Sequence, residues 1–161
     1  MKPNEALTER LTKKWIDIGF QGADPSTDFR GSGILGLDQL LSVTREEAYK
    51  EKGLAMYQDS TDMEHWYFFS VTGINITQKL LNTLKDSKDQ VHRINLEGPI
   101  LDFFQASCQL RQDKEKFFEA NMYKLMTHLY YNIFVLFNKE WLRAKPGIMQ
   151  FNQFLDDIYG V

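Results

Sequence analysis

The chain has 161 residues, 43% of them hydrophobic and 14% aromatic, including 12 Phe and 7 Tyr, which excludes a disordered chain and fits one domain. Its single cysteine, Cys108, excludes an intramolecular disulfide and a Cys-rich zinc site. The formal charge of -3 is spread along the chain without a basic block, so no electrostatic footprint exists for nucleic acid or an anionic membrane.

In chain order, Leu7, Leu11, Trp15 and Ile18 recur at helical spacing and predict a first helix over 4–18, with Asn4 or Thr8 as its cap and Gly19 as its stop. Phe20–Gly36 follows no apolar period. Its glycines at 22, 31, 33 and 36, Pro25, Asp24 and Asp28 read as a long ordered loop with Phe20 and Phe29 as anchors. A loop of that length in a compact domain is often functional. Ile34–Val43 is a short apolar segment, helical from Gly36.

Thr44 with Glu47, and Thr61 with Glu64, match the capping-box spacing. They predict a helix to about Gln58 and another from Thr61 through about Lys85, the latter with Met63, Trp66, Val71, Ile74, Gln78 and Leu81 along one side. A strand is the alternative for the β-branched run Val71–Thr77. Residues 86–95 read as a connector and 97–109 as a helix with Pro99 in its first turn. Residues 113–143 read as the longest helix, with Phe117, Met122, Leu125, Leu129, Ile133 and Leu136 buried, ended by Lys145-Pro146-Gly147. Ile148, Phe151, Leu155 and Ile158 mark a short last helix. The expectation is an all-α single domain over 1–161, with five to seven helices and a long ordered loop after the first.

Chemistry is sparse. His65, His92 and His128 lack metal-ligand spacing, so no metal is expected, and His128 reads as a hydrogen-bonded histidine at the core edge. There is no Gly-x-Ser-x-Gly turn, and Cys108 has no clear His partner. The glycines at 31, 33 and 36 lack the strand and Gly-Lys-Ser/Thr ending of a phosphate loop. No run of about 18 apolar residues predicts a membrane span, and the polar N-terminus lacks the apolar stretch of a secretory signal. Arg30 remains, in Thr27-Asp28-Phe29-Arg30-Gly31. From residue chemistry alone a structural fork with Asp28 or a helix C-terminus is favoured over a preset surface cation.

The segment Trp15-Ile16-Asp17-Ile18-Gly19-Phe20-Gln21-Gly22, then Asp24-Pro25, Thr27-Asp28-Phe29-Arg30-Gly31, Gly33, Leu35-Gly36-Leu37 and Leu40-Leu41, resembles the signature of the ELMO domain, in its ELMO-domain-containing branch. Trp66–Thr77 resembles that family's central helix. Tyr123–Trp141, with Lys145-Pro146 and Met149-Gln150-Phe151-Asn152, resembles its C-terminal part.

The resemblance implies a GTPase-activating protein for Arf-family, notably Arf-like, small GTPases. It implies Arg30 as the catalytic residue, acting on a GTP-bound partner, with no active site, cofactor or metal of the domain's own. Asp28 and Gln21 would orient the loop or the arginine, or meet the partner. Thr27, Gly31 and Gly33 would support the turn. The alternative implied is a non-catalytic adaptor that docks on a small GTPase or a Dock-type exchange-factor complex. A monomeric, cytoplasmic protein, recruited to membranes through its GTPase, is expected.

Overall fold

The computed structural model describes residues 10–85 and 114–159, with Arg30, 84–85 and 114–121 described by backbone alone. The described chain runs α1 (Lys14–Asp17), two 3-10 turns (Pro25–Asp28 and Arg30–Ser32), α2 (Gly33–Arg45), α3 (Lys50–Asp59), α4 (Phe69–Lys85), α5 (Lys114–Ala144), a third 3-10 turn (Ile148–Gln150) and α6 (Phe151–Tyr159). It is all-α, as the periodicity predicts, with no strand among the described residues. The expected caps Asn4 and Thr8, the connector 86–95, the helix 97–109, Cys108, His92 and Phe117 lie outside what is described.

The core forms where α4 and α5 meet beneath α2 and α3. Phe20, Met56, Tyr67, Ile74, Tyr130, Phe134, Phe137 and Trp141 are its large buried members. Burying each such side chain contributes about 1.5–3 kcal/mol. Some polar tips inside the core find partners, whereas the buried Tyr130 hydroxyl has none among the described residues. The Tyr67 hydroxyl donates to Asn138 Oδ1 at 2.7 Å, Asn138 Nδ2 donates to Asp59 Oδ2 at 2.8 Å, and Trp141 Nε1 donates to the His65 carbonyl at 2.7 Å. Burial, with the Asp59 charge nearby, pushes the Tyr67 hydroxyl far above its ordinary pKa. The last helix is tied down by the Lys79–Asp156 ion pair and by the Tyr159 hydroxyl, which donates to the Ile76 carbonyl at 3.0 Å.

Several boundaries differ from the sequence expectation. Residues 10–13 are not helical, so α1 begins at Lys14. Backbone there is engaged elsewhere: Thr12 N–H donates to the Ala23 carbonyl and Trp15 Nε1 to the Arg10 carbonyl. Leu11 is consequently exposed rather than part of a buried stripe. The stop at Gly19 is as expected. Gly19 adopts φ +86°, its N–H reaches the Ile16 carbonyl, and Phe20 N–H reaches the Trp15 carbonyl, which is a Schellman ending.

Neither capping box forms. Helix α2 starts at Gly33 rather than Gly36 and continues through Thr44, whose hydroxyl donates back to the Leu41 carbonyl, while Glu47 pairs with Lys50. At 61–68 the Asp62 carboxylate accepts the N–H groups of Glu64 and His65 in a turn, and the helix starts only at Phe69. Met63 (97% exposed) and Trp66 therefore lie outside the helix and outside the core. Val71–Thr77 is helix, not strand. Its threonines fold their hydroxyls onto carbonyls one turn back, Thr72 to Phe68 and Thr77 to Gly73. Along α5, Leu125, Leu129 and Ile133 are buried as predicted, but Leu136 is 43% exposed, because Phe134, Phe137 and Trp141 carry the stripe onward instead.

Candidate functional site

The loop between α1 and α2 is built from short polar residues that replace missing helix hydrogen bonds. Asp24 caps the first 3-10 turn: its Oδ1 accepts the Ser26 N–H at 3.0 Å and the Ser26 hydroxyl at 2.7 Å, and Pro25 supplies the fixed φ of the first position. The Ser26 hydroxyl and N–H hold the Asp24 carboxyl below the usual carboxylate range. The Thr27 hydroxyl donates to the Asp24 carbonyl at 2.9 Å. The turn then delivers Asp28, only 2% exposed, whose Oδ2 accepts the Gln21 N–H at 2.9 Å and draws the two ends of the loop together. Phe20 and Phe29 meet edge to face at 6.4 Å and pin this clamp to the core.

Immediately after the clamp come Arg30 and Gly31 in the second 3-10 turn. The Ser32 hydroxyl closes that turn onto the Phe29 carbonyl at 2.8 Å, and Gly33 enters α2 at φ +53°. Helix α4 is the floor. A Cβ on Gly31 would lie 2.5 Å from Gln78 Oε1, so any larger residue there would require the Gln78 side chain to shift. Gln78 Nε2 donates to Asn82 Oδ1 at 2.9 Å, while its buried Oε1 has no hydrogen-bond partner.

One turn before Gln78 on α4, Asn75 faces a cavity of about 160 Å³ that it shares with Gln21, Phe68, Val71, Phe151 and Asn152. No titratable side chain lines it. A separate apolar recess of about 280 Å³ opens between α1, α2, α3 and α4, lined by Trp15, Leu37, Leu41, Leu54 and Tyr57 among others.

Of the residues singled out from the sequence, Gln21 and Asp28 are in direct contact, and Gly31 joins them to α4 through Gln78. Thr27 is exposed and bonds within its own turn. Gly33 has open space where a Cβ would sit, so its positive φ is what suits glycine there. Arg30 is placed by its backbone in the second turn, and its side chain lies outside the described residues. His128 is exposed, with Nδ1 3.4 Å from the Tyr49 hydroxyl. Asn75, Gln78 and Asn152 entered the sequence reading only as helix or motif members. For Asn75 and Gln78 the signal was amides at positions 75, 78 and 82, spaced three and four apart along α4. Among the described residues no group of three His, Cys, Asp or Glu side chains could hold a metal ion, and no helix is long and apolar enough to cross a membrane.

The profile of the ELMO/CED-12 family matches residues 1–155. The chain is 36% identical over 143 residues to ELMO domain-containing protein 1 of Homo sapiens, covering 73% of this chain and 43% of that protein. It is 35% identical over 138 residues to ELMO domain-containing protein 2 of Homo sapiens, covering 83% and 45% respectively. It is 32% identical over 151 residues to ELMO domain-containing protein B of Dictyostelium discoideum, covering 93% and 44%. The chain thus spans less than half the length of these relatives. No solved structure matches it. With a profile match over nearly its whole length and an all-α fold, the chain belongs to the ELMO/CED-12 family.

Proposed function

We propose that the domain activates an Arf-family, specifically Arf-like, small GTPase by supplying Arg30 in trans. The observation that carries this reading is the clamp beside Arg30. Asp28 holds the loop closed on Gln21, and Gly31 rests on Gln78, so the turn bearing the arginine is fixed on both sides. A guanidinium presented from a fixed turn loses less freedom when it enters a partner's nucleotide site. There its planar fork meets charge developing on the β,γ-bridging and γ-phosphate oxygens. Such a finger is worth about 10³–10⁵ in rate, or roughly 4–7 kcal/mol of barrier. The partner contributes the nucleotide, its Mg²⁺ and the residue that orients the attacking water; the domain contributes cation and docking surface. In this reading Thr27 and Gln21 border the partner, and a monomeric, cytoplasmic domain reaches membranes through its GTPase.

Single-turnover hydrolysis by GTP-loaded Arf-like GTPases tests the proposal, with the wild-type chain and with Arg30→Lys, which keeps the charge and loses the fork. Stimulation by the wild type and at least a hundredfold less by the variant is the expected result. Equal stimulation by both removes Arg30 as the finger. Binding without stimulation by either favours the adaptor role.

A further inference from the structure

Beside the arginine turn, three amide-bearing residues from three separate elements line one small cavity: Gln21 from the loop, Asn75 from α4 and Asn152 from α6. None of the three makes a side-chain hydrogen bond among the described residues. We infer that this socket grips an extended main-chain segment of the GTPase and sets it in register with Arg30. The inference rests on the function proposed above.

The chemistry of the lining selects the occupant. A carboxamide carries both donor and acceptor, as does a peptide group, so the amides can pair with the N–H and C=O of a passing backbone. An anionic ligand would call for a cation and a cationic one for a carboxylate, and the lining has neither. Size agrees. About 160 Å³ holds the equivalent of about five waters at about 30 Å³ each. Sites for nucleotide- or drug-sized ligands run to about 300–1,000 Å³. A peptide unit with a short side chain is what fits. Phe68 and Phe151 line the same cavity and exclude water from part of it, which strengthens hydrogen bonds made inside. Asn75 is half-buried there and makes no side-chain hydrogen bond among the described residues, so its amide can pair with a ligand.

Gln21 sets the register. It lines the socket, and its own N–H is held by Asp28, two residues before Arg30. A segment seated among the amides is therefore fixed relative to the turn that presents the guanidinium. Small misplacements of a catalytic group are costly in rate.

The test titrates GTP-loaded Arf-like GTPase single-turnover hydrolysis with the full chain, an Asn75→Ala/Asn152→Ala double variant, Asn152→Ala alone, and Arg30→Lys. The double variant is expected to raise the half-saturating concentration about tenfold, the equivalent of one to two lost hydrogen bonds. That rise should exceed any fall in the saturating rate. Arg30→Lys should do the reverse. Asn152 is exposed, so Asn152→Ala keeps the test valid if the double variant unfolds, with an expected rise of about threefold. A photocrosslinker at position 152 should label a contiguous segment of the GTPase. Unchanged half-saturation in folded variants, or crosslinks only to a second copy of this chain, overturns the socket while leaving Arg30 in place. Absence of both binding and stimulation by the wild type overturns the GTPase function itself, and this occupant with it.

Discussion

The Asp28 carboxylate, buried within the loop, accepts the Gln21 backbone N–H at 2.9 Å and so joins residues seven apart across the turn that leads to Arg30. A charge-assisted bond of this kind to a backbone donor is worth about 1.5–3 kcal/mol. Asp28→Ala is expected to destabilise the domain by about 1–3 kcal/mol in urea unfolding. The amide proton of Gln21 should exchange much faster than in the wild type. An unchanged exchange rate at Gln21 would show that the clamp does not hold the loop.

Gly31 and Gln78 give a second prediction. Gly31→Ala places a methyl 2.5 Å from Gln78 Oε1. Because that oxygen ends a flexible side chain, the cost is modest, about 1 kcal/mol. In a Gln78→Ala background the same change should cost measurably less. A double-mutant cycle by urea unfolding reads the coupling, expected near 0.5–1 kcal/mol. Strict additivity would mean that the turn does not rest on Gln78.

Gly19 is constrained twice, by its backbone angle and by its neighbours. At φ +86° an alanine is strained, and its Cβ would lie 2.4 Å from the Phe69 backbone nitrogen, where no side chain can yield. Gly19→Ala is expected to cost about 3 kcal/mol or more, adding the left-handed penalty to overpacking. A thermal midpoint within a degree or two of wild type would contradict the geometry.

Alkaline pH offers a fourth. Burial pushes the Tyr67, Tyr130 and Tyr159 hydroxyls well above their ordinary value. A group whose folded pKa exceeds its unfolded one supports the fold below the unfolded pKa and ceases to as pH rises toward the folded value. Stability contributed by these three is therefore intact below about pH 10 and falls above it, by up to about 1.4 kcal/mol per pH unit for each tyrosine. Urea unfolding between pH 9 and 11.5 should show this decline. Ultraviolet titration should show three tyrosines ionising only as the chain unfolds.

Much of the fold was legible because long amphipathic repeats leave few alternatives. The stripe Leu125, Leu129, Ile133 and the Lys145-Pro146 break placed the long helix, and Gly19 marked the end of the first helix at the right residue. The capping boxes misled because their local rule competes with burial. Thr44 sits in a helix that continues for Val43's sake, and the Trp66–Phe68 run stays non-helical so that Tyr67 can reach Asn138. Within the site, the arginine motif was visible as a string of residues. The convergence of Gln21, Asn75 and Asn152 was not, since it depends on how three elements meet rather than on any local pattern.

The carbonyl of Gly19 accepts the Val71 N–H at 3.1 Å, in the opening turn of α4, and Gly31 rests on Gln78 of the same helix. The stretch between is thus an arch with both feet on one helix, standing roughly 10 Å apart at 1.5 Å per residue. Insertions or deletions between Gly19 and Gly31 would shift one foot off its support and carry the arginine with it. The arginine's position is thereby tied to one helix at two points, through Gly19 and through Gly31.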